Sequence, residues 1–185
     1  MRRSGVLLPV FSLPGAYGIG CFSREAYMFV DFLADAGQSF WQMLPIGPTS
    51  YGDSPYQSFS TFAGNPYFID FEVLEGDGLL EHHEFASFDW ESERDKVDYS
   101  LQYDHCFDVL RMAYDRFKPS KFPEYRKFCE ENKKWLEDYA LFMALKRHFG
   151  MRPWSEWPEE DVRLHRPEAC RWWREALRED VELFE

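Results

Sequence analysis

Residues 47–70 constrain the fold more than any other stretch, because a run of this composition can be neither a regular helix nor a central strand. Pro48, Pro55 and Pro66 lack the amide donor, and Gly47, Gly52 and Gly64 lose the most entropy on ordering. Yet Tyr51, Tyr56, Phe59, Phe62, Tyr67 and Phe68 all fall in the same run. A solvated linker is polar and flexible, so a loop this long and this aromatic reads either as a binding loop or lid, or as a loop plugged into the core.

Its position favours the binding role. Val6–Phe11 is apolar on both faces, as suits a strand buried on both sides of a parallel sheet. Ser23 can cap a helix whose residues Ala26, Phe29, Val30 and Leu33 recur at helical spacing, with Gly37 as its stop. Phe40–Ile46 is a second, nearly continuous apolar run. Strand, helix and strand in this order form a βαβ unit with parallel neighbouring strands. The aromatic run follows the second strand directly, and in α/β folds ligands bind at the carboxyl ends of strands. Between the first strand and helix lies SLPGAYGIG, residues 12–20. Its G-x-x-G-x-G spacing, with no following Gly-Lys-Ser/Thr, reads as a tight turn rather than a phosphate loop.

Past Asp70 the pattern becomes helical. Tyr103, Cys106, Phe107, Leu110, Ala113, Tyr114 and Phe117 form one stripe that ends before Pro119. A second stripe through Tyr125, Phe128, Cys129, Asn132, Trp135, Leu136 and Tyr139 runs into Ala140–Leu145, apolar nearly all round and therefore buried. Trp154 and Trp157 lie in a proline-bounded turn that either pins these helices or lines a cleft. Ala169, Trp172, Trp173, Ala176, Leu177 and Phe184 predict a last helix, with no capping residue before Glu185. The expected organisation is residues 1–74, with two strands, the first helix and the aromatic loop, followed by a mainly helical insertion over 75–185.

Composition narrows the function. A net charge of −12 argues against nucleic acid and anionic membranes as partners. No run approaches the roughly eighteen apolar residues of a membrane span, and Arg2-Arg3 before a short, proline-interrupted apolar stretch is not a secretion signal. Cys21, Cys106, Cys129 and Cys170 form no C-x-x-C pair, so reduced thiols in a cytoplasmic protein are expected. The adjacent His82 and His83 cannot share a helical face and no ligand-spaced carboxylate or cysteine joins them, so no metal is expected. Gly52-Asp-Ser-Pro-Tyr56 lacks the second glycine of a nucleophile elbow, and Pro55 removes an amide that an oxyanion hole needs.

The loop's rings, with the Ser54 hydroxyl and the Gln57 amide beside them, are groups that can contact and orient a ligand. Asp53 reads as a turn former whose carboxylate binds backbone amides rather than as a catalyst.

The run SYGDSPYQSFSTFAGNPYFID, with SLPGAYGIG upstream and WLEDYALFMALK at 135–146, resembles the amino-terminal part of the 4-alpha-glucanotransferases, or amylomaltases, of glycoside hydrolase family 77. The resemblance implies an α/β fold, the first part of a (β/α)8 TIM barrel with a mainly helical insertion, the barrel being incomplete in this chain. It implies a retaining, two-step transfer of α-1,4-glucan segments to an acceptor sugar, without a cofactor. It places the catalytic carboxylates on later strands, so no catalytic residue is assigned here and the fragment alone is expected to be inactive. It puts Tyr56 and Ser54 on the donor side of the active site, and Tyr51 and Tyr103 in a second glucan-binding site. On its helical stripe Tyr103 equally reads as a core residue. The rival readings are a non-catalytic carbohydrate-binding module, a helical interaction protein and a related α-glucan hydrolase.

Overall fold

The structure, a computed structural model, describes residues 2–90, 93 and 95–185. It divides into two compact units, residues 1–117 and 118–185. This division by packing differs in kind from the sequence grouping at residue 74, which separates strands and loop from inserted helices.

In the first unit, β1 (Gly5–Leu7) and β2 (Phe40–Gln42) pair in parallel, with Val6 opposite Trp41. The βαβ expectation therefore holds, but the strands are shorter than their apolar runs. Val10–Ser12 turns into a 3-10 segment, because Pro9 cannot donate to a ladder. The strands are also largely exposed rather than buried, Leu7 and Phe40 each at 55%, since the sheet has two strands among the described residues. Trp41 braces the pair by donating its indole N–H to the Leu8 carbonyl at 2.8 Å.

Helix α1 (Arg24–Asp35) connects the strands. Ser23 caps it by accepting from the Glu25 amide, and Gly37, at φ +69°, ends it. Ala26 and Leu33 are buried as the stripe predicts, whereas Val30 is exposed along with Tyr27, Met28 and Phe32. The turn before α1 is tight for a steric reason: a Cβ on Gly20 would lie 2.3 Å from the Val10 carbonyl oxygen.

After the aromatic loop come α2 (Phe71–Gly76), α3 (His82–Ala86) and α4 (Tyr99–Arg116). They enclose a core of Phe71, Leu80, Phe85, Trp90, Cys106, Val109 and Ala113. Tyr17, from the glycine-rich turn, is wedged among Phe71, Phe85 and Trp90, with ring centroids 5.2–6.1 Å away. Buried Gln102 holds it there, donating to the Tyr17 carbonyl at 2.7 Å. Arg116 grips Glu84 with two nitrogens at 2.7 Å each and donates to the Leu79 carbonyl, tying the end of α4 to α3.

The second unit is built on α5 (Pro123–His148), whose last turns are sealed by α6 (Glu160–Arg163), α7 (Pro167–Ala176) and α8 (Arg178–Phe184). Ala140, Leu141, Ala144 and Leu145 are all but inaccessible, as their all-round apolar pattern requires. Trp157 fills the centre and stacks near Phe142 and Phe149, so that tryptophan pins, while Trp154 is 56% exposed. The last predicted helix is two: it breaks at Leu177, φ −111°, and Val181 of α8 is buried in the same core as Cys170 of α7. Among the described residues, no helix is long and apolar enough to cross a membrane.

Candidate functional site

The aromatic run folds as a loop whose ends meet. The Asn65 amide donates to the Ile46 carbonyl at 2.9 Å, closing the loop at its neck. Serines bond the interior. The Ser58 hydroxyl donates to the Ser60 carbonyl at 2.7 Å, and the Ser60 hydroxyl oxygen accepts from the Phe62 and Ala63 amides at 3.3 and 3.0 Å. Asn65 caps the 3-10 turn Pro66–Phe68 by accepting from the Tyr67 amide, and Phe68 is buried. Asp70 then caps α2. Small hydroxyl and amide residues thus satisfy a backbone that makes no ladder, which explains their interleaving with the rings.

The outer part, residues 50–57, is two consecutive turns. The Asp53 amide donates to the Ser50 carbonyl at 3.0 Å, closing a turn with Gly52 at its third position, where φ is +89°. A type II turn requires this of that residue. The Gln57 amide donates to the Ser54 carbonyl at 3.0 Å, closing a second turn with Pro55 at its second position. Each turn presents one tyrosine. Tyr51 is 100% exposed and Tyr56 72% exposed.

The other predicted residues are distributed around this pair. Ser54 is half-buried, and its hydroxyl oxygen accepts from the Tyr56 amide at 3.4 Å. Gln57 is exposed beside the first turn. Asp53 sits between the turns in the left-handed region, φ +53°, and is half-buried; that burial pushes its carboxyl above its ordinary value. Tyr103, on α4, is 46% exposed, so the buried face of the helix is Gln102, Cys106, Val109 and Ala113 instead.

The structure also brings in two tyrosines that sequence reasoning did not select as site residues. Tyr67 and Tyr99 lie with ring centroids 6.4 Å apart, and Tyr67 stands 6.4 Å from Phe107. Burial first, and then charge including that of Asp53, raises both phenols, and Cys106 and Tyr103 act on Tyr67 as well. The charge of Asp53 thus reaches both phenols across the join between loop and α4. Tyr99 is the first residue of α4, directly after the Asp98 cap; its place four residues before Tyr103, which extends the stripe by one turn, was the available signal. It also borders an open groove with Leu13, Gly15, Gly18 and Val97.

Chemically this is a surface for stacking and hydrogen bonding. Among the described residues, no group of three or more His, Cys, Asp and Glu side chains could hold a metal. His82 and His83 instead approach Glu75 and Glu81, each at 3.4 Å. The cysteines are free: Cys21, Cys106 and Cys170 buried, Cys129 half-buried.

A family model described as 4-alpha-glucanotransferase matches residues 8–185. A 4-alpha-glucanotransferase of Clostridium butyricum is 46% identical over 175 residues, 95% of this chain and 36% of that protein. One of Thermus thermophilus is 47% identical over 186 residues, 97% of this chain and 36% of that protein. The chain spans about a third of the length of these curated relatives. Among solved structures, the amylomaltase of Streptococcus agalactiae in complex with acarbose superposes with a TM-score of 0.94 at 40% identity, over all of this chain and 37% of that one. The amylomaltase of Corynebacterium glutamicum, 18% identical with a TM-score of 0.61 over 98% of this chain, shares the fold.

Proposed function

The chain belongs to the 4-alpha-glucanotransferase family, glycoside hydrolase family 77, and from that premise we propose that it is the glucan-contacting part of an enzyme that transfers α-1,4-glucan segments to an acceptor sugar. The observation that carries this reading is the TM-score of 0.94, over the whole chain, with an amylomaltase bound to acarbose. In the proposed assembly β1, α1 and β2 are the first elements of a (β/α)8 barrel, residues 1–74, and residues 75–185 are the inserted helical part. A barrel of this kind has eight strands and about 250 residues, which accounts for the exposed apolar surface of Leu7, Phe40, Met28 and Phe32 as surface awaiting further barrel elements.

The reaction is a retaining displacement. A carboxylate attacks the anomeric carbon, a carboxylic acid protonates the departing sugar oxygen, and an acceptor hydroxyl then resolves the glycosyl-enzyme intermediate. A retaining pair stands roughly 5 Å apart. The Asp53 carboxyl is raised by burial, with no second carboxylate acting on it as a partner of such a pair would. We accordingly assign it no catalytic step, and place the acid and the nucleophile beyond residues 1–185.

What this chain supplies is orientation. Tyr56 offers a ring to a sugar face on the donor side, and Ser54 and Gln57 flank it with hydroxyl and amide groups. Tyr51 and Tyr103 offer further rings to a longer chain. No cofactor takes part. The free cysteines accord with a cytoplasmic setting.

The test is disproportionation of maltotriose by the protein expressed from its complete reading frame. Glucose together with maltooligosaccharides longer than the substrate is expected, diminished in Tyr56→Ala. Glucose and maltose without longer products would replace transfer by hydrolysis, and an unchanged Tyr56→Ala would remove the donor-side role.

A further inference from the structure

We infer that Asp53 is the hinge that sets the two tyrosine-bearing turns relative to each other, and so is a positioning residue for Tyr51 and Tyr56. The inference deepens the glucan-binding reading and rests on it. Its ground is backbone geometry. The turn at 50–53 ends on Asp53 and the turn at 54–57 begins at the next residue, so the torsions at this junction, those of Asp53 first, set the angle between their tips. It does so at φ +53°, a conformation costly for side chains other than glycine, asparagine and aspartate, whose short polar group bonds locally.

The side chain supports the same role. Asp53 is half-buried, whereas Tyr51 and Tyr56 on either side point into solvent. Its charge acts on Tyr67 and Tyr99, and these belong to the fixed part of the unit: both pack against the core that includes Phe68, and the Tyr67 amide is held by Asn65. Asp53 is thus the less exposed residue between two exposed rings, at the point where the two turns join.

The roles of backbone and carboxylate separate by substitution. In the protein expressed from its complete reading frame, maltoheptaose is titrated calorimetrically into Asp53→Ala, Asp53→Asn and Asp53→Gly. Tyr51→Ala and Tyr56→Ala serve as references, and thermal unfolding is followed for all. Asp53→Ala is expected to weaken binding about tenfold, while Asn and Gly, which accept the left-handed region, rescue it to within about threefold. Equal losses in all three would assign the effect to the carboxylate and overturn the hinge, as would no loss in Asp53→Ala. Unchanged binding in both tyrosine variants would overturn the glucan reading itself, and the hinge with it. Should Asp53→Ala not fold, Gly52→Ala makes the same test. At φ +89° an added Cβ finds its nearest neighbour, Gln57 Oε1, at 4.0 Å, so the backbone alone objects. About tenfold weaker binding is expected there, and parental binding would overturn the inference.

Discussion

The loop at 47–70 and the helical unit at 118–185 are both dense in aromatic residues, and they use them in opposite ways. In the unit, Trp157 is 4% exposed between Phe142 and Phe149, and Trp173 lies 5.0–5.4 Å from His148 and Phe149. In the loop, Tyr51, Tyr56 and Phe62 are 69–100% exposed. The difference follows from the backbone. A helix returns every third or fourth side chain to one face, so its rings converge on a common core. Successive turns send neighbouring side chains apart, and rings held there at the surface stay available to a ligand.

The comparison breaks most visibly at Trp157. Trp157→Ala is expected to cost about 3–5 kcal/mol by the loss of a buried ring, read as a fall in the denaturant midpoint. Tyr56→Ala is expected to do the reverse: its stability should stay within about 0.5 kcal/mol of the parent, while maltooligosaccharide binding falls about tenfold. A Tyr56→Ala protein that melts early would mean that the loop is core after all. Between these lies Ser60→Ala. It strips the acceptor from the Phe62 and Ala63 amides and should cost about 1 kcal/mol, with weaker glucan binding as the loop loosens. Stability loss without any change in binding would separate the interior of the loop from its tip.

How much of this was legible beforehand divides along the same line. The helices were, because periodicity reports burial: Ala140–Leu145 read as buried and is. The parallel strand pair, the Ser23 cap and the Gly37 stop were legible for equally local reasons. Strand exposure was not, since an apolar run states what a strand can bury and not what is present to bury it. The break at Leu177 left no proline or glycine to announce it. In the loop, sequence identified the exposed rings but not the tertiary contact of Tyr67 with Tyr99, which joins the loop to a helix well downstream. Asp53, expected as a turn former, closes the turn at 50–53, and the charge it exerts on Tyr67 and Tyr99 left no signal in the sequence.

The smallest expected effect concerns protons, and it sharpens the contrast between loop and helices within the first unit. Burial raises the Asp53 carboxyl above its ordinary 3.8, so the folded state holds that proton more tightly than the unfolded chain does. Its ionised form therefore opposes folding at all pH above the folded value. That opposition is relieved as pH falls from the folded value toward 3.8. Glu84 behaves in the opposite sense. The hydrogen bonds from Arg116, and then the Glu81 amide, hold it below its ordinary 4.5, so its contribution is present above 4.5 and is lost as pH falls through its lower folded value. Acidification should thus relieve the loop while it loosens the α3–α4 tie. Urea midpoints of the parent, Asp53→Asn and Glu84→Gln read this directly. Asp53→Asn should exceed the parent slightly at pH 7 and converge on it below 3.8, whereas Glu84→Gln should trail the parent at pH 7 and converge on it once the pH falls below Glu84's lowered folded value. If the Asp53 difference kept its size down to the acid limit, the residue would act through shape alone. The cost of burying its charge would then play no part in the stability of the loop.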